Sequence, residues 1–100
     1  MDTKDIFKVL ANETRLQILQ WLKDPHSHFP EPGEGYSEEE GVCVSLIQKK
    51  SGLAQSTISH YLAMLEEAGL VKSTRHGQWT YYRRIDGAFS KLADQVAHEI

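Results

Sequence analysis

Between Ser51 and Val71 the chain reads SGLAQSTISHYLAMLEEAGLV, which packs Gln55, Ser56, Thr57, Ser59 and His60 into six consecutive positions. Small uncharged side chains that both donate and accept hydrogen bonds are the groups that read the edges of base pairs in a major groove. On a helix turning about 100° per residue, Ser56, Thr57, Ser59, His60, Ala63 and Glu67 lie opposite an Ile58/Leu62/Leu65 stripe. Polarity is graded along that face, with hydrogen-bonding groups leading and Glu66 and Glu67 at the rear, where phosphate would repel them. A helix entering a groove N-terminus first needs that order. The same residues also suit an ordinary solvated face with a Ser/Thr-rich start.

The other reactive side chain is Cys43, the single cysteine, which excludes an intrachain disulfide. It suits a small buried residue, a redox or electrophile sensor near a helix N-terminus, or one ligand of a metal site completed by His26 and His28. An enzyme is not expected. Cys43, Ser59 and His60 are the obvious nucleophile and base candidates, Ser59 and His60 point about 100° apart on a helix, and no acidic residue is placed to orient them.

The surrounding elements must position these groups. Residues 3–10 place Ile6, Val9 and Leu10 on one helical face, and Asn12 with Glu13 starts a second helix running to about Lys23. Leu16, Ile18, Leu19, Trp21 and Leu22 cover more than half of its circumference, so a partner subunit is expected to cover part of it. Residues 24–41 carry all three prolines and end in three glutamates, which predicts a long loop. Gly52 then separates two helices over 43–68, Gly69 stops the second, and LVKSTRHGQWTYYRRI predicts a hairpin over 70–85. A last helix over 86–99 places Phe89, Leu92, Ala93 and Val96 on one side.

Lys72, Arg75, His76, Gln78, Arg83 and Arg84 bring cations and donors to the hairpin, suited to backbone contacts beside a groove. Trp79, Tyr81 and Tyr82 there suit strand packing or base stacking on a single strand. The formal net charge of −3 is unevenly spread. Residues 1–41 net −5, residues 42–84 net +4 and residues 85–100 net −2, so the basic excess coincides with the helix pair and hairpin. One hundred residues, without an apolar run long enough for a bilayer or a basic-then-apolar leader, predict a single cytoplasmic domain with no membrane contact. The expected fold is mainly α with a β-hairpin wing (α+β), a winged helix-turn-helix. A protein-interaction module using the basic hairpin is the alternative from another class.

The segment LANETRLQILQWL resembles the second-helix signature of the ArsR/SmtB family of small winged-helix repressors, and GLAQSTISHYLAMLEEAGLVKSTRHGQWTYYRR is similar to that family's recognition helix and wing. The likeness extends from about Lys4 to Ile85. It implies a homodimer joined through the first and last helices, double-stranded operator DNA as partner, and repression released by an inducer the sequence does not name. It places DNA reading on Gln55, Ser56, Thr57, Ser59 and His60, and the wing tip on Arg75, His76, Gly77 and Gln78. Many members bind metal through a Cys-x-Cys pair; here the matching residues are Cys43, Val44 and Ser45, so that thiolate set is depleted. The last helix offers only Asp86, Asp94, His98 and Glu99 to a second family metal site, and no metal or cofactor is expected.

Overall fold

The computed structural model describes residues 2–29 and 35–100. Helix α1 (Thr3–Leu10) is capped by Asp2, whose side chain accepts from the Asp5 N–H, and α2 (Glu13–Lys23) by Asn12, which accepts from the Arg15 N–H. Arg15 is buried, and its Nε donates to the Val9 carbonyl at 2.6 Å. Its guanidinium also lies 5.0 Å from the Tyr61 ring centroid, so one cation ties the end of α1 to a later helix.

Residues 24–41 differ from the expected loop. A one-turn helix α3 (Pro25–His28) and a hairpin of β1 (Tyr36–Ser37) and β2 (Gly41–Cys43) form there, while residues 30–34 of that segment lie outside the described residues. The physical reason is pairing: Val42 and Cys43 find partners in Tyr82 and Tyr81, so an apolar run that reads as the start of a helix is drawn into a sheet. At Gly41, with φ of +99°, a Cβ would stand 2.0 Å from the Tyr82 carbonyl oxygen, so only glycine admits that approach.

Next come α4 (Val44–Ser51), α5 (Gln55–Glu67), β3 (Val71–His76), β4 (Trp79–Arg84) and α6 (Asp86–Glu99). The sheet is antiparallel with order β1-β2-β4-β3, so the expected two-stranded wing is the outer half of a four-stranded sheet. Ile18, Val42, Ile47, Ile58, Leu62 and Leu65 are fully buried in one core beneath it. Burial of those side chains supplies the main force that fixes α5 against α2 and α4.

Candidate nucleic-acid interface

The turn between α4 and α5 is three residues long. Gly52 takes the left-handed conformation at φ of +72°, Gln48 Nε2 donates to the Leu53 carbonyl at 2.8 Å, and the Leu53 N–H donates to Ser51 Oγ at 3.1 Å. These bonds set the angle at which α5 leaves the body. Ala54 occupies the N-cap without a side-chain cap, so the N–H groups of the first turn face outward unpaired by side chains.

Gln55, Ser56, Ser59 and His60 are exposed and Thr57 is half-buried, while Ile58, Leu62 and Leu65 face the core. Among the described residues none of the five polar side chains makes a hydrogen bond, apart from any to solvent. They are thus free to serve an external partner, and their hydroxyls are not used as helix caps.

The rear of α5 is different. Glu66 Oε2 accepts from the Ser73 N–H at 2.8 Å and from Ser73 Oγ at 2.7 Å, which bolts the helix to β3. From the sequence alone Glu66 reads only as a carboxylate kept away from phosphate. Its structural role follows from the turn after Gly69, where the Gly69 and Leu70 N–H groups donate to the Glu66 and Leu65 carbonyls and bring the chain back beside the helix.

Cross-strand partners divide the wing into two faces. Lys72 pairs with Arg83 on one face; Val71 pairs with Arg84 on the other. Lys72, Arg75, Gln78 and Arg83 are exposed, but the Arg84 side chain is only 14% exposed and stacks 3.8 Å from the Phe89 ring centroid. Arg84 therefore leaves the set expected to reach a DNA backbone. His76 also has a partner: its Nδ1 lies 2.8 Å from Glu40 Oε1, in the turn joining β1 to β2. Trp79 remains half exposed, whereas Tyr82 packs against the core, where burial, reinforced by Glu66, raises its phenol above the usual range.

Cys43 is 2% exposed and ends β2 as the residue before α4; its Sγ shares a hydrogen bond with Ser45 Oγ at 3.3 Å. His26 lies 3.1 Å from Glu38 and packs edge-on against Tyr36. Within one chain, among the described residues, no three His, Cys, Asp or Glu side chains are placed to hold a metal, so the fold does not gather Cys43, His26 and His28. His98 turns back to the Asp94 carbonyl on its own helix.

A helix pair with a tight turn, its second helix presenting free hydrogen-bonding groups beside a basic two-stranded wing, defines the winged helix-turn-helix class of DNA-binding transcriptional regulators. Proteins of similar sequence and structure fall in the same class. Residues 37–73 match the family model described as bacterial regulatory protein, arsR family. The chain is 52% identical to the uncharacterized HTH-type transcriptional regulator YbzH of Bacillus subtilis, over 100% of this chain and 100% of that one. It is 36% identical to the arsenical resistance operon repressor of Escherichia coli, over 91% of this chain and 68% of that one. A solution structure of the homodimeric winged helix-turn-helix DNA-binding domain of a Mycobacterium bovis protein superposes with a TM-score of 0.65 at 30% identity, over 96% of this chain and 77% of that one. The chain belongs to the arsR family of bacterial regulatory proteins, and is a transcriptional regulator and not an enzyme.

Proposed function

We propose that the protein is a homodimeric repressor that binds a near-palindromic operator and leaves it when an inducer binds. The observation that carries this is the unpaired polar set on the leading turns of α5, flanked by outward Lys72, Arg75, Gln78 and Arg83. Gln55, Ser56, Thr57, Ser59 and His60 read base edges, and the first-turn N–H groups of α5 meet a phosphate. Arg75, His76 and Gln78 carry the wing tip along the flanking backbone; His76 must exchange Glu40 for a phosphate to do so. Such a partner supports a cytoplasmic protein, beside the chromosome. The operon repressor of Escherichia coli and the homodimer from Mycobacterium bovis support both halves of the proposal. Phe7 on α1 and Ile100 at the end of α6 are exposed apolar side chains, and Thr3 Oγ1 donates to Glu99 at 2.7 Å, so α1 and α6 present a joint surface for the second copy.

The test is fluorescence anisotropy with duplexes from the upstream region of the protein's own gene, beside sedimentation. A dimer binding two half-sites about one helical turn apart, with at least about a hundredfold preference over random duplex, is expected. Equal affinity for every duplex would replace repression by a sequence-independent architectural role, and no duplex binding at all would favour a protein partner.

A thiol input at Cys43 has one specific argument in its favour. The sulfur sits at the joint of β2 and α4, in a filled interior, where an added oxygen displaces its neighbours and so moves the helix that supports α5. Burial keeps Cys43 from a disulfide between subunits, so the oxidised form in this reading is the sulfenic acid, formed at the slowed rate of an enclosed thiol. Operator affinity lost on mild peroxide treatment, and retained by Cys43→Ser, supports this input; affinity unchanged in both removes it.

A further inference from the structure

Arg84 is a largely enclosed cation, its side chain 14% exposed, that the DNA surface does not use. Its Nε finds no hydrogen-bond partner among the described residues, its Nη1 reaches only Asp86 at 3.6 Å, and its plane lies against Phe89. A desolvated N–H of a guanidinium without an acceptor is costly, and a ligand oxygen that draws the guanidinium off Phe89 and opens the enclosed Nε would relieve it. Two cavities meet at this side chain. One, of about 270 Å³, is walled by Glu38 and Glu39 and repels an anion. The other, of about 310 Å³, has Leu10, Leu16, Leu19 and Phe89 as its apolar lining, with Lys23 and Arg84 as cations and no carboxylate.

We infer that the cavity between α1, α2 and α6 binds a small organic anion, a carboxylate on an apolar body, and that this ligand is an effector of DNA binding. The inference rests on the repressor reading and supplies the chemical class of its inducer. An apolar cavity with a few convergent polar groups is the usual form of a small-molecule site. The carboxylate meets Arg84 and Lys23, and the apolar part lies on the leucines.

The route to DNA is short. Arg84 closes β4 opposite Val71, and the Ile85 N–H donates to the Leu70 carbonyl at 2.9 Å, immediately after the recognition helix. Drawing the guanidinium toward a ligand displaces the base of the wing and the start of α6 together. The ligand then shifts the DNA-binding equilibrium by its preference for the displaced arrangement.

The experiment uses the full reduced chain, with sodium octanoate as probe and 1-octanol as its uncharged counterpart, by calorimetry and by operator anisotropy. One octanoate per chain is expected, with 1-octanol about tenfold weaker or worse, and operator affinity lowered about tenfold at saturation. Arg84→Gln and Lys23→Glu are each expected to weaken octanoate about tenfold; Lys23 is exposed, so its variant tests the site if Arg84→Gln does not fold. Equal binding of acid and alcohol, or octanoate binding unaffected in the folded variants, overturns the site. No octanoate binding by a chain that binds operator overturns the site and leaves the repressor reading intact. Octanoate bound as expected with unchanged operator affinity overturns the effector role. Octanoate bound by a chain that binds no duplex refutes the repressor reading and, with it, the effector role.

Discussion

The two hydrogen bonds from Ser73 to Glu66 are the direct link between recognition helix and wing, and Glu66→Ala removes both. Hydrogen bonds to a charged acceptor contribute about 1.5–3 kcal/mol when desolvated, and Glu66 is half-buried, so about 1 kcal/mol each is the reasonable share. The expected loss is about 2 kcal/mol in urea unfolding, a large part of the stability of a domain this size. DNA affinity discriminates further, because two effects oppose each other. Deleting a carboxylate near phosphate favours binding, whereas freeing the wing disfavours it. If the bolt holds the wing in its DNA-binding position, Glu66→Ala loses affinity despite the gain in charge, while Glu66→Gln, which keeps an acceptor oxygen, loses less stability and binds DNA more tightly than Glu66→Ala. Combining Glu66→Ala with Ser73→Ala should show a coupling of about 1 kcal/mol. A loss below about 0.5 kcal/mol for Glu66→Ala, or strict additivity with Ser73→Ala, would refute the reasoning.

Ser56→Ala and His60→Ala are expected to reduce the preference for operator over random duplex, whereas Arg75→Ala weakens both alike and lowers the salt slope by about one; anisotropy across a salt series checks this, and equal losses for all three contradict the division of roles. Gly41→Ala sets a Cβ against the Tyr82 carbonyl at a left-handed φ, so a loss above about 3 kcal/mol, or failure to fold, is expected in thermal melts. Burial, with Glu38 and Asp24 adding to it, raises the Tyr36 phenol above its ordinary 10.0. Since the folded value lies above the unfolded one, that contribution to stability is complete below about pH 10 and is lost as pH rises through the folded value. Tyr36→Phe should therefore lessen the fall in stability between about pH 9 and about pH 11, measured by urea unfolding.

Much of the fold is legible along the chain because its signals are local. The apolar spacing of Ile58, Leu62 and Leu65 marks the core face of α5, Asn12 marks the start of α2, and Gly52 and Gly69 bracket the recognition helix. Segment 36–43 was not legible in the same way. Val42 pairs with nearby Tyr36 in a short hairpin, but that hairpin joins a sheet because β4 lies beside it, through pairings of Val42 with Tyr82 and Cys43 with Tyr81 about forty positions apart that no local pattern expresses. The exchange of roles between Glu66 and Arg84 has a similar origin. One reads as a carboxylate to be kept from DNA and becomes a bolt; the other reads as a phosphate contact and becomes a half-buried cation stacked on Phe89. Strand alternation carried a hint, since Arg84 falls on the same face as buried Val71.

By itself the sequence determined which face of the recognition helix is polar, how its charge is graded, and that a basic hairpin follows it, because helical period, strand alternation and glycine placement act over a few residues. Tertiary structure alone decided which polar side chains stay free. Packing gave Glu66 to Ser73, Glu40 to His76 and Phe89 to Arg84, and left Gln55, Ser56, Ser59 and His60 exposed. A side chain's availability depends on what the fold brings within about 3 Å of it, and that distance is set by long-range packing.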